Sequence, residues 1–321
     1  MLIKSVRELD TTAMRDAYCE SLIKLGEEDD RVVSIEVDVM ASMGTTAFAK
    51  KFPDRSINCG IQEANAVGMA SGMAIRGYVP FFHAFGIFAT RRVYDQIFLS
   101  CGYAKSHIKI IGGDAGVTAS ANGGTHMPLE DIGLMNLIPD MVIIEPADTV
   151  CVRNILEEVK NCPSSVYMRC TRKQTIRIYE DSAEFMIGKA NVLREGSDVT
   201  ILASGIMVAE ALDSAEELIK RGISAEVIDC YSIKPFDIET VLKSVSKTKA
   251  VVTAENHNTV GGLGSTVASV LAQNDPTPME MVGVKNRYGE VGTVEYLKET
   301  FGLTASDITK AVEKVLLRKT K

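Results

Sequence analysis

The strongest constraint on this chain is a repeated alternation of short apolar runs with longer segments of helical period. Residues 32–37 (VVSIEV), 108–111 (IKII), 141–144 (MVII) and 165–168 (SVYM) read as strands, with helical patterns near 12–25, 63–76, 89–104 and 147–160. Strands that are apolar along their whole length, rather than at alternate positions, are buried on both faces. That is the mark of a parallel sheet covered by helices on each side. The alternation restarts after residue 195, with strands over 199–203, 225–229 and 249–254 and a helix over 206–221. The polar segment 177–198 between the halves reads as a linker with one strand pair. The expectation is an α/β protein of two domains, 1–190 and 191–321, each a mostly parallel sheet flanked by helices. A length of 321 residues suits that count.

Composition narrows the function. The formal net charge is −7 and the basic residues are scattered, which argues against nucleic acid and against an anionic membrane surface as partners. No apolar run approaches the roughly 18 residues of a membrane span, and residues 1–8 carry no signal-peptide apolar region, so a cytoplasmic location is expected. The seven cysteines form no CxxC pair and read as reduced thiols, and no metal site is expected from this chain's own side chains.

Several segments could carry chemistry. Residues 59–63 (CGIQE) run into a helix made almost wholly of small residues, 64–74 (ANAVGMASGMA). Such a helix can be approached closely from every side, so it is expected to be buried. The acid at its start, Glu63, is then either a partner of the helix dipole or a reagent, and in isolation the dipole is the commoner reading. A glycine-rich loop follows the strand near 110: Gly112-Gly113-Asp114-Ala115-Gly116, and later Asn122-Gly123-Gly124-Thr125-His126. Ligands of parallel sheets gather at the carboxyl ends of strands, where a histidine can serve as acid, base or hydrogen-bond donor. A capping loop with a solvent-facing histidine is the alternative. Phe85 and Phe88 stand at helical spacing with Arg91 and Arg92 one turn on, which is either core packing with a surface basic pair or a slot for a flat heterocycle. There is no GxxxxGK[ST] segment. Residues 261–267 (GGLGSTV) match a dinucleotide fingerprint only in part and read as a strand-to-helix turn, and His257 reads as a structural loop histidine.

Taken together, over essentially the whole chain, these motifs resemble the transketolase family of thiamine diphosphate enzymes. The resemblance implies a pyrimidine-binding domain followed by the family's C-terminal domain. It makes Glu63 the cofactor-activating glutamate, and Phe85 and Phe88 the aromatic pocket around the aminopyrimidine, with Arg91 and Asp38 also on the cofactor. Residues 122–126 resemble the family's D-G-P-T-H substrate loop, so Asn122 and His126 would meet the sugar, with His126 also catalytic. Ser42 and Arg172 resemble residues that bind the sugar phosphate, and residues 232–237 (SIKPFD) and 286–289 (NRYG) are also similar to the family. The G-D-G…N-type segment that holds Mg²⁺ and the diphosphate is not in this sequence. The resemblance therefore implies the C-terminal subunit of a split transketolase, whose N-terminal partner ligates the metal, in a heterotetramer of two halves each. The implied reaction transfers a two-carbon ketol unit from a ketose phosphate or similar anionic ketose to an aldose. Asn122 stands where the family has Asp, Gly124 where it has Pro, and residues 113–116 lack a histidine and look closer to deoxyxylulose-phosphate synthases. These departures leave the sugars open. The β subunit of a 2-oxo acid dehydrogenase E1 component, a deoxyxylulose-phosphate-synthase-like enzyme and a non-catalytic partner-binding subunit are the alternatives.

Overall fold

In the computed structural model, which describes residues 3, 4 and 6–319, the alternation resolves into two sheets. The strands are β1 (Val32–Glu36), β2 (Ser56–Asn58), β3 (Val79–Phe85), β4 (Lys109–Gly113), β5 (Val142–Ile144), β6 (Val166–Arg169), β7 (Asn191–Arg194), β8 (Val199–Ala203), β9 (Ala225–Asp229), β10 (Ser232–Lys234), β11 (Val251–Asn258) and β12 (Met279–Val284). The first sheet has seven strands in the order β10-β5-β6-β4-β3-β1-β2, and the second has five in the order β12-β11-β8-β9-β7. Every pairing is parallel except β10 with β5 and β7 with β9. This is the two-domain α/β architecture expected, with one crossing: β10 leaves the second half of the chain to close the edge of the first sheet. β1, β4, β5 and β6 are buried at every residue, as strands covered on both faces must be.

Three local features differ from the expectations. Residues 79–85 form a central strand, so Phe85 ends β3 and only Phe88 lies on the short helix Gly86–Ala89. The helix expected near 89–104 is broken at Thr90 (φ −127°, ψ −84°) and continues as a tight turn over Arg91–Val93 and a wide helical turn over Ile97–Tyr103. The small-residue helix, Glu63–Ile75, buries one face only. Glu63, Ala66, Val67, Ala70 and Ser71 are inside, while Ala64, Asn65, Gly68, Met69, Gly72 and Ile75 are open. A Cβ added at Gly68 or Gly72 would meet nothing within 4 Å, so nothing among the described residues uses the close approach that this face permits.

The two sheets are joined by a buried polar network. Arg169, at the end of β6, donates from Nε to Asp131 Oδ2 (2.7 Å), from Nη1 to Glu145, and from Nη2 to the carbonyls of Pro128 (2.8 Å) and Asn256 (2.9 Å). Ser204 of the second half donates to the other oxygen of Glu145, and Asn256 brackets residues 115–117 through Val117 N and Ala115 O. His257, read from the sequence as structural, is fully buried in this network, its Nε2 3.7 Å from Asp131 Oδ1. The partial fingerprint is indeed a strand-to-helix turn. The backbone N–H groups of Leu263 and Gly264 at the start of helix Leu263–Asn274 donate to the carboxyl of Glu255, so the chain's own acid occupies that helix start.

Burial pushes the Glu255 carboxyl up to about 8 and the His257 imidazole down to about 4, from ordinary values of 4.5 and 6.5. Between about 4 and 6.5 the unfolded histidine binds a proton that the folded one does not, and stability rises with pH. Between 4.5 and about 8 the folded Glu255 keeps a proton that the unfolded carboxyl has lost, and stability falls with pH. The two effects cancel from about 4.5 to 6.5. Above 6.5 only the fall remains, on the order of 2 kcal/mol by pH 8 at about 1.4 kcal/mol per unit. The urea midpoint is therefore expected to be lower at pH 8 than at 6.5, and Glu255→Gln should flatten that difference. A variant with the same pH slope as the parent would remove Glu255 as its cause.

Candidate active site

The residues that the sequence singles out lie past the carboxyl ends of neighbouring parallel strands: Asp38 and Ser42 after β1, Glu63 after β2, Phe85 and Phe88 at the end of β3, Asp114 to His126 after β4 and Arg172 after β6. Parallel strands all deliver their following loops to the same edge, so one rim collects side chains that are far apart in sequence.

Glu63 is the first residue of its helix, and its side chain is 6% exposed. Its Oε1 accepts a hydrogen bond from Arg92 Nη1 at 2.7 Å, and the Arg92 guanidinium lies 3.8 Å over the Phe88 ring. A flat, N–H-bearing group thus fits between the carboxylate and the aromatic face. Arg92 is 45% exposed, so it can vacate that slot without crossing the core. The sequence pointed to Arg91 here, but Arg91 pairs with Glu130 (2.8 Å). The break at Thr90 rotates the following turn, and the arginine four residues beyond Phe88 is the one that reaches its ring.

The Phe85 and Phe88 rings, 6.2 Å apart, both meet His126 edge-on, at 6.0 and 5.2 Å between centroids. Thr125 Oγ1 lies 2.9 Å from His126 Nδ1, which leaves Nε2 as the nitrogen available to a ligand. Beneath them, His83, two residues before Phe85 and on the same face of β3, is held between Tyr18 OH (2.7 Å, to Nε2) and the carboxylate of Glu36 (3.1 Å, to Nδ1), with Ser34 Oγ also on Glu36. This buried polar cluster fixes the strand that carries the aromatic wall.

On the far side of Phe85 stands Arg172, its Cζ 4.9 Å from the ring centroid and its Nε donating to Asp114 Oδ1 at 2.6 Å. Asn122 Nδ2 donates to the other oxygen of Asp114 at 3.1 Å. That contact explains one departure from the family pattern: an aspartate at 122 would set two carboxylates against each other. Gly124 explains another, since a Cβ there would stand 2.2 Å from the Gly289 carbonyl oxygen, so the loop over 286–289 packs directly on it. Ser42 sits on a short turn whose neighbour Met43 covers Gly113, and its carbonyl accepts from Arg15 Nη1 at 3.1 Å. Asp38, exposed and at φ +67°, caps the loop after β1 by donating its N–H to Asn58 Oδ1. Glu63, Phe85, Phe88, His126, Asn122 and Arg172 thus form one connected wall, with Asp38 and Ser42 on its rim. Arg15 and the linking role of Asp114 were not read from the sequence, and of the two arginines seen beyond Phe88 the sequence reading assigned Arg91 rather than Arg92. Only the spacing of Arg92 from Phe88 could have signalled any of them. Among the described residues no three His, Cys, Asp or Glu side chains are grouped to hold a metal, and no helix is long and apolar enough to cross a membrane.

Comparison with known proteins agrees with this fold. A family model described as the transketolase pyrimidine binding domain matches residues 10–176, and one described as the transketolase C-terminal domain matches residues 188–308. Over 312 residues the chain is 47% identical to the 6-deoxy-6-sulfo-D-fructose transketolase subunit of a Clostridium species (strain MSTE9), covering 97% of each chain. It is 33% identical over 299 residues to an apulose-4-phosphate transketolase subunit of Phocaeicola vulgatus, covering 93% of this chain and 96% of that one. A solved split gene transketolase, an inactive β4 tetramer, has the same fold with a TM-score of 0.89 at 40% identity, covering 97% of this chain and 100% of that one.

Proposed function

The chain belongs to the transketolase family, and from that premise we propose that it is the C-terminal subunit of a two-chain transketolase, which supplies the pyrimidine end of a thiamine diphosphate site and the wall that holds the sugar. The observation that carries this reading is the slot between Glu63 and Phe88, which already holds the flat guanidinium of Arg92. A planar aminopyrimidine presents the same features, an N–H for the carboxylate and a face for the ring.

Thiamine diphosphate, when bound, supplies a carbon nucleophile that takes a two-carbon ketol unit from a ketose and passes it to an aldose. This chain's part is to orient and to move protons. Glu63 Oε1 would share a proton with a ring nitrogen of the bound cofactor, and its burial would make that carboxyl–nitrogen hydrogen bond strong. Phe85 and Phe88 exclude water and hold the ring flat. His126, braced by Thr125 and two aromatic edges, offers Nε2 to the sugar oxygens, and Asn122 and Ser42 contact the sugar. Arg172 clamps an anion at the far end of the ketose. Asp38 and Arg91 would stand on the cofactor's side of the rim, Arg91 by releasing its exposed pair with Glu130. The named relatives act on a sulfonated and a phosphorylated sugar, which supports an anionic ketose as the donor.

The metal–diphosphate segment would come from an N-terminal partner, which would also ligate the Mg²⁺. Assembly is supported by the open small-residue face of helix Glu63–Ile75 and the exposed Phe98, Leu99 and Tyr103 beside it, apolar surface that a monomer would leave in water. The chain with thiamine diphosphate and Mg²⁺ alone is expected to give no ketol transfer. Adding the N-terminal half should yield a heterotetramer by sedimentation and transfer from 6-deoxy-6-sulfofructose to an aldose. Robust turnover by the isolated chain would refute the two-chain reading. Decarboxylation of a 2-oxo acid without ketol transfer by the assembled pair would place the protein with the dehydrogenase subunits instead.

A further inference from the structure

We infer that Asp114 is a specificity-determining residue that tunes the sugar site to a singly charged head group, a sulfonate, over a doubly charged phosphate. The inference rests on the sugar site proposed above and goes beyond it in assigning the charge of the anion. Three observations carry it. First, Asp114 is buried (1% exposed) and binds Arg172 through Nε alone, at 2.6 Å. No other hydrogen bond of Arg172 exists among the described residues, so the Nη1–Nη2 edge of the guanidinium is left as a free two-pronged donor, the geometry that suits a tetrahedral oxyanion. Second, Asp114 also accepts from Asn122, so one buried carboxylate orients two side chains of the sugar wall. It does so from a left-handed backbone conformation (φ +61°), which aspartate adopts more readily than most residues.

Third, the charges at this corner sum low. Arg172 and Arg15, which is fastened to the Ser42 carbonyl, are two cations here, while Lys173, next in sequence, is turned to Ser120 Oγ at 3.2 Å. The Asp16 carboxylate is 3.5 Å from Arg15 but half-exposed and screened by water, whereas Asp114 is shielded from solvent. Asp114 therefore cancels one guanidinium effectively and leaves about one positive charge for the ligand. A sulfonate carries one negative charge. A phosphate monoester carries about 1.5 to 2 at pH 7, and the excess faces a buried carboxylate one guanidinium away. At that separation and partial burial, one extra like charge is worth on the order of tenfold in binding.

The test uses the assembled two-chain enzyme at pH 8, with 6-deoxy-6-sulfofructose and the matched fructose 6-phosphate as donors. In the parent, kcat/KM should favour the sulfonate by about tenfold or more. Asp114→Asn keeps an acceptor oxygen for Arg172 but removes the charge, and the ratio should move by about tenfold toward phosphate, chiefly through KM. Asp114→Glu keeps the charge and should keep the preference. A merely structural role would lower both donors together and leave the ratio alone. A ratio within twofold of the parent's in Asp114→Asn, or a parent that prefers phosphate, overturns the inference. If neither donor is turned over by the parent, the proposed reaction fails. The charge preference is then read from calorimetric titration of the two sugars into parent and Asp114→Asn complexes, where equal affinities in the parent would overturn it.

Discussion

Glu63→Ala is expected to lower turnover of the assembled enzyme by about 10²–10⁴-fold, the range for losing a positioned proton-transfer group, while leaving the complex intact. The structure separates the two effects. As a first-turn acid, Glu63 contributes about 0.3–1 kcal/mol to its helix. Its ion pair with Arg92, a half-exposed partner, adds about 0–1 kcal/mol. Folding and assembly should therefore survive the substitution. Glu63→Gln keeps a hydrogen-bonding side chain of the same size and should still lose most of the rate, because an amide does not exchange a proton with a ring nitrogen at neutral pH. Turnover at saturating thiamine diphosphate, compared with assembly by sedimentation, is the measurement. Activity within tenfold of the parent in the alanine variant would return Glu63 to the role of helix-end acid.

Arg169→Met should have the largest effect on folding. It removes the cation from a pair of carboxylates, Asp131 and Glu145, that are almost wholly buried, and takes donors from the Pro128 and Asn256 carbonyls. Breaking a buried pair by deleting one partner costs about 3–5 kcal/mol because a charge is left uncompensated. That is a large share of the roughly 5–15 kcal/mol by which a typical protein is stable. The urea midpoint of the variant should fall accordingly. Adding Asp131→Asn and Glu145→Gln should recover much of the loss, because the damage lies in the orphaned charges more than in the missing contacts. A triple variant no more stable than Arg169→Met would point to lost packing or backbone hydrogen bonds instead.

Much of the candidate site was legible in the linear chain because its members sit at or next to strand and helix ends with strong local signatures. Glu63 precedes a run of small residues, His126 closes a glycine-rich loop, and Phe85 and Phe88 are three apart. The side chain that actually faces Glu63 was less legible. Arg91 and Arg92 are adjacent and chemically identical, and only the break at Thr90 decides which of them turns over Phe88 and which goes to Glu130. β3 was likewise hidden, because Phe85 and Phe88 satisfy a helical spacing although one ends a strand and the other lies on the short helix that follows. The small-residue helix was expected to be buried, but within this chain it is covered on one face only.

By itself the sequence determined the α/β alternation and the residue types that line the sheet's carboxyl edge. Those follow from local periodicity and from loop composition, which need only neighbouring residues to act. The tertiary structure alone decided how these residues pair. It set Asp114 against both Arg172 and Asn122, though they lie 58 and 8 residues away. It joined Arg169 to two acids and a carbonyl of the first half and to the Asn256 carbonyl of the second sheet, and it turned the glycine-rich start of helix Leu263–Asn274 toward Glu255. The physical reason is common to all three: a polar or charged group buried away from water must find its partner in space, and sequence separation puts no limit on which partner that is.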